Sequence, residues 1–145
     1  MPQDYETSIF MAGGITGCPD WQKEILQKIE GTPVVSNYVY YNPRRSSFDT
    51  SRKEDSQYQI EWEYKYLRNA AYTYFWFPKE GKCMITLLEL GMALVSYRMI
   101  RVGCHPEYER AFDVYHQVRL ARPDLTIHTS LEDLYLSPHD PTPEP

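Results

Sequence analysis

The segment AYTYFWFPKEGKCMITLLELGMALVSYR, residues 71–98, decides the fold class. Its first part, Ala71–Phe77, is a run of aromatic and β-branched residues ended by Pro78, which reads as a buried strand. After the turn KEGKC, Met84–Arg98 is apolar on nearly every side, which predicts a buried helix. A strand feeding a helix in this way is the repeating unit of a parallel sheet, and the pattern recurs in both directions along the chain.

Upstream, Ser8–Ala12 (SIFMA) reads as a first strand, followed by the turn GGITGCPD and a helix from about Pro19 to Ile29. Pro19 and Asp20 suit a helix start, where a missing N–H costs nothing and an acid faces the dipole. Thr32–Tyr41 (TPVVSNYVYY) reads as a second strand. Asn42–Gln57 is polar without apolar period and is expected to be a long loop. Ile60, Tyr64, Leu67 and Ala71 then follow the spacing of one helix face across Tyr58–Ala70. Downstream, Met99–Cys104 predicts a fourth strand, Pro106 opens a helix to about Ala121, Leu125–Thr129 predicts a fifth strand, and LEDLYL a short helix. Strands separated by helices must run parallel with right-handed crossovers. The expected fold is therefore α/β: a single-domain, doubly wound, open parallel five-stranded sheet with helices on both faces, Rossmann-like. The domain is expected to span residues 1–136, with the Pro-rich 137–145 as a flexible tail.

Composition narrows the function. The 145 residues are 42% hydrophobic, enough for one core. A formal net charge of -5 argues against a partner built on phosphate backbone or anionic lipid. The longest apolar stretches are shorter than a bilayer requires, and the polar start MPQDYETS lacks a signal-peptide pattern, so a cytoplasmic location is expected. Cys18, Cys83 and Cys104 lack CxxC spacing and read as plain thiols. The four histidines show no ligand spacing, and no metal is expected.

In a sheet of this kind, ligands bind at the carboxyl ends of the strands. Glu89 stands out there as the only acidic or basic side chain charged at neutral pH between Lys82 and Arg98. A carboxylate early in an apolar helix is either a partly desolvated nucleophile or base, or a structural group bonded to a neighbour. Glu63, three residues after Ile60 and four before Leu67, borders the buried face of its helix, whereas Glu61 points away. It is the better second carboxylate, with a surface ion pair as the alternative. Gly13 and Gly14 open a turn whose N–H groups could hold an anion or a sugar hydroxyl, or which needs glycine for its backbone alone. Arg44 and Arg45 could grip a phosphate or simply be solvated.

Taken in order, IFMAGGITGCPDWQ, YNPRR, QIEWE, YFWFP and ITLLELGMAL resemble the nucleoside 2-deoxyribosyltransferase family, particularly its small bacterial and phage-type branch with related nucleotide N-glycoside hydrolases. The resemblance covers about Ser8–Leu131 and implies the same doubly wound sheet. It implies that Glu89, in Glu89-Leu90-Gly91, is the nucleophile and that Glu63 orients the substrate sugar. Gly13, Gly14 and Thr16 would approach the sugar or its 5′ substituent; Asn42, Pro43, Arg44 and Arg45 would border the substrate. Cys83 stands where many transferases carry an Asp and related hydrolases a phosphate-binding Ser. Phe10 replaces a Tyr near the nucleophile, and Ala71 an Asp before the third strand.

The expected activity is N-glycosidic bond chemistry on a 2′-deoxynucleoside or its 5′-monophosphate, by base exchange or hydrolysis through a covalent glycosyl-Glu89 intermediate, without metal or cofactor. The alternative is a nucleotide-binding module, a sensor or ligand sink, that has lost the chemistry. The expected partners are a small nucleoside or nucleotide and further copies of the chain, at least a dimer, with no nucleic-acid polymer and no membrane.

Overall fold

A computed structural model describes residues 7–44, 53–96 and 98–137. The elements follow one another as β1 (Ser8–Gly13), α1 (Trp21–Glu30), β2 (Val39–Tyr41), α2 (Lys53–Asn69), β3 (Tyr72–Phe77), α3 (Met84–Leu94), β4 (Met99–Cys104), α4 (Ala111–Ala121), β5 (Ile127–His128) and α5 (Leu131–Leu136). The five strands form one sheet in the order β2-β1-β3-β4-β5, and every pairing is parallel. The doubly wound α/β sheet expected from the alternation is the observed fold.

Strand alternation sorts the core into two layers. Phe10 and Ala12 of β1, with Phe75 and Phe77 of β3, face a cluster completed by Leu90 and Ala93 of α3 and Val114 and Val118 of α4. Ile9 and Met11, with Tyr74 and Trp76, face Trp21, Ile25 and Ile29 of α1 and Leu134 and Tyr135 of α5. Both faces are covered, which explains why β1 and β3 are mostly apolar rather than alternating, with only Ser8 and Thr73 polar among their buried residues.

Several boundaries differ from expectation, each for a local reason. The second strand is three residues long instead of Thr32–Tyr41, because the chain leaves α1 in a tight turn. The Thr32 hydroxyl donates to Lys28 O at 2.9 Å, Val34 adopts φ 73°, and Val35–Asn37 forms a 3-10 turn. The local turn overrides the strand preference of two valines. The polar stretch expected to run as loop to Gln57 is already helical from Lys53, and the tail after Ser137 lies outside the described residues. Pro106 does not open α4: residues 105–110 are turns, tied by Tyr108 N to His105 O at 3.0 Å, and the helix starts at Ala111. The last strand narrows to Ile127–His128.

The largest correction concerns α3. Its sequence is apolar all round, yet only Thr86, Leu90 and Ala93 are buried. Met84, Ile85, Leu88, Met92 and Val95 are exposed, with Val95 at 86%. No helix among the described residues is long and apolar enough to cross a membrane.

Candidate active site

The site is assembled where the strand order changes direction, at the carboxyl ends of β1 and β3. Three segments meet there: the turn after β1, the residues after β2, and the junction between β3 and α3.

The turn after β1 is held by side chains from two elements. Trp21 Nε1 donates to Gly14 O at 2.9 Å in a buried bond. Asp20 caps α1 by accepting from Lys23 N at 3.1 Å, as its place beside Pro19 predicts. Gly17 takes φ 75°, which a side chain would disfavour. Thr16 is exposed in this turn, and its carbonyl faces Cys18 and Gly81.

Arg44 is turned inward. Its Nε donates to Gln22 Oε1 at 3.0 Å and lies 3.3 Å from Asp20 Oδ1, while Nη2 reaches Pro19 O at 3.0 Å and the carbonyls of Ile15 and Cys18 at 3.4 Å. Asn42 Oδ1 accepts from Arg44 N at 2.9 Å, which fixes the residue's entry into the clamp. The guanidinium therefore braces the turn after β1 from the end of β2, with Nε and Nη2 directed at protein acceptors. Arg45 lies outside the described residues. Arg44→Ala is expected to destabilise the fold by about 2–3 kcal/mol, because it orphans several carbonyl oxygens as well as Gln22. Urea unfolding should show a lower midpoint at unchanged slope. Unchanged stability with a selective loss of affinity for 5′-phosphorylated ligands would instead assign Arg44 to phosphate binding.

Glu63 and Glu89 come from different helices and are close enough that the charge of one raises the pKa of the other. Each is part-buried. Burial, with a smaller contribution from Glu63, pushes the Glu89 carboxyl up to about 7. Burial also raises Glu63, opposed by a hydrogen bond from Gln59. Glu61 points outward, accepting from Gln57 Nε2 at 3.0 Å, but Ile60 and Tyr64, expected on the buried face of this helix, are exposed: the covered side of α2 runs through Gln59, Trp62, Glu63 and Tyr66.

Gln59 joins the site without any chemical signal of its own in the sequence. Its Nε2 donates to Pro43 O at 2.8 Å and to Glu63 Oε1 at 3.2 Å, joining the segment after β2 to the second carboxylate. Its Oε1 is buried without a partner among the described residues. The available signal was its spacing: four residues before Glu63, it shares that helix face. Trp62 flanks the same region, with Tyr66 at 4.7 Å and Phe10 at 6.1 Å between ring centroids.

Cys83 occupies the position before α3 with φ 56° and no side-chain cap. Burial, reinforced by neighbouring Cys18, pushes its thiol up to about 12, so it is neutral at physiological pH. Gly14 packs against it: a Cβ there would lie 2.7 Å from Cys83 Sγ. The structure thus brings together Gly14, Thr16, Arg44 and Cys83 around one turn, and Glu63 and Glu89 around another centre linked to Pro43 through Gln59. Two cavities are resolved, the larger of them against the turn after β1 and the segment after β2. One of about 340 Å³ includes Cys104, Phe112 and His116; the other, about 570 Å³, includes Ile15, Lys23 and Arg44. Neither carboxylate lines them.

Two partly desolvated carboxylates on neighbouring helices of a parallel sheet define a candidate site of acid–base or nucleophilic type. A family model described as nucleoside 2-deoxyribosyltransferase like matches residues 6–108, from ahead of β1 to the turn before α4. The chain belongs to that family. No curated protein matches it.

Proposed function

We propose that the protein cleaves the N-glycosidic bond of 2′-deoxynucleosides or their 5′-monophosphates, with Glu89 as nucleophile. The observation that carries this reading is the paired, part-buried Glu63 and Glu89 in a chain of this family. In its ionised form Glu89 attacks C1′. The C1′–N bond breaks, its electron pair leaves with the base, which takes up a proton, and an ester joins C1′ to Glu89. A second base, or water, then attacks C1′ and frees the carboxylate. Glu63, positioned by Gln59, holds sugar hydroxyls.

The experiment is chromatography of free bases after incubation with deoxynucleosides, ribonucleosides and their monophosphates, with and without an acceptor base. Release that depends on the acceptor identifies a transferase; release that ignores it identifies a hydrolase. Ligand binding without release by folded protein favours the module reading, for which the neutral Cys83 thiol ahead of α3 is the supporting observation.

The exposed row on α3 supports a homo-oligomer. Ile85, Leu88, Met92 and Val95 recur at helical spacing on the helix that carries Glu89, and a Cβ on Gly91 would meet nothing within 4 Å. A second copy covering this row would lie beside the nucleophile. Sedimentation is expected to show at least a dimer, and Leu88→Lys with Met92→Lys to give single chains with reduced turnover. A wild type that sediments as single chains overturns the assignment.

A further inference from the structure

The junction between the turn after β1 and the start of α3 contains a feature outside the proposed chemistry. A Cβ on Gly14 would stand 2.7 Å from Cys83 Sγ and 2.8 Å from Cys18 Sγ, so the two sulfur atoms share the space that the missing side chain leaves. A Cβ on Gly81 would also fall on Cys18 Sγ. Each thiol makes a long contact to a carbonyl, Cys18 to Thr16 O and Cys83 to Gly81 O, both at 3.7 Å, and the two thiols lie within hydrogen-bonding reach of each other. Both cysteines are free. Residues distant in sequence are thus placed thiol against thiol, with glycine on either side where a side chain would separate them.

We propose that Cys18 and Cys83 form a redox-active dithiol that closes to an intramolecular disulfide, tying the turn after β1 to the residue ahead of α3. The proposal requires the fold alone and is independent of the role assigned to Glu89.

With a low-molecular-weight disulfide as oxidant, deprotonated Cys18 attacks one of its sulfur atoms, forming a mixed disulfide and expelling one small thiolate. Deprotonated Cys83 then attacks Cys18 Sγ; the protein S–S bond forms and the second small thiolate leaves. Two electrons and two thiol hydrogens pass to the oxidant, which ends as two small thiols. Burial raises both thiols; Glu80 adds to the shift on Cys18 and Arg44 opposes it, while Cys104 and Glu109 add to that on Cys83. Closure therefore accelerates as pH rises.

The test is incubation of the full chain with oxidised glutathione at mildly alkaline pH, followed by alkylation, intact mass measurement and peptide mapping. The expected product has lost the mass of two hydrogens, carries one alkyl group on Cys104, and yields a cross-linked peptide pair containing Cys18 and Cys83. Cys104→Ser should still close, and Cys18→Ser and Cys83→Ser should not. The closed form should melt roughly 5–10 °C higher, reversibly with dithiothreitol. Three alkylated cysteines, a persistent glutathione adduct, or a cross-link that includes Cys104 would each overturn the proposal.

Discussion

Glu89→Gln is expected to lower base release by at least ~10³-fold while leaving a folded and more stable protein. The amide keeps the shape of the carboxylate but cannot form the glycosyl ester, so the loss falls on kcat rather than on ligand binding. The stability gain follows from the same burial that tunes the group. In the unfolded chain Glu89 titrates near its ordinary value of 4.5; in the folded protein it titrates at about 7. Below the unfolded value both states are protonated and the group costs nothing. As pH rises from there through about 7, the unfolded chain releases the proton more readily and folding is penalised, by roughly 3 kcal/mol at most above pH 7. The variant escapes this penalty. Urea unfolding should therefore show Glu89→Gln more stable than wild type at pH 8 and indistinguishable from it at pH 4. The same shift predicts an acid limb in kcat/KM near pH 7, since only the ionised carboxylate attacks. Near-wild-type base release by the variant would remove Glu89 from the mechanism. Equal stability at pH 8 would show that the carboxylate is not desolvated.

Gly13→Ala is expected to cost about 3 kcal/mol or more and to remove most of the folded protein at physiological temperature. Gly13 ends β1 in register with Trp76 of β3. A Cβ there would fall on the Trp21 ring and lie 2.7 Å from the Trp76 carbonyl oxygen. The ring cannot retreat freely, because Trp21 is buried and its Nε1 is committed to Gly14 O. Nor can the carbonyl, which belongs to the central strand pair. Relief would require opening the crevice at the ends of β1 and β3, where the candidate site is built. Gly91→Ala is the internal control. Its Cβ meets nothing within 4 Å on an exposed helical surface, so the single chain should gain about 0.5–1 kcal/mol from helix propensity. Comparable thermal melting of wild type and Gly13→Ala would mean that the first glycine serves the ligand rather than the packing.

The two glycines show how far local reading reaches. That Gly13 and Gly14 sit at the end of a strand is legible from SIFMAGG; that one is required by an indole ring and the other by a pair of sulfur atoms is not. Arg44 gives the same lesson. An arginine in a polar loop invites a phosphate, and only the folded chain shows its Nε and Nη2 bonded to Gln22 and the carbonyls of the turn after β1. Gln59 was hidden for the opposite reason: an uncharged residue in a helix carries no chemical signal until Pro43 and Glu63 are placed on either side of it.

The sequence by itself determined the order of elements, the parallel sense of the strands, the two-faced burial of β1 and β3, and the placement of Glu63 and Glu89 on helices. These follow from periodicity and chain connectivity, which are properties of neighbouring residues and survive without knowledge of distant contacts. The tertiary structure alone decided the shortening of β2, the exposed side of α3, the inward turn of Arg44, the burial of Glu63 and Glu89 near each other, and the meeting of Cys18 with Cys83. Each depends on which segments the order β2-β1-β3-β4-β5 brings side by side. An apolar helix can bury only the face that meets the sheet, and two thiols become neighbours only when β1 and β3 pair and their exits converge.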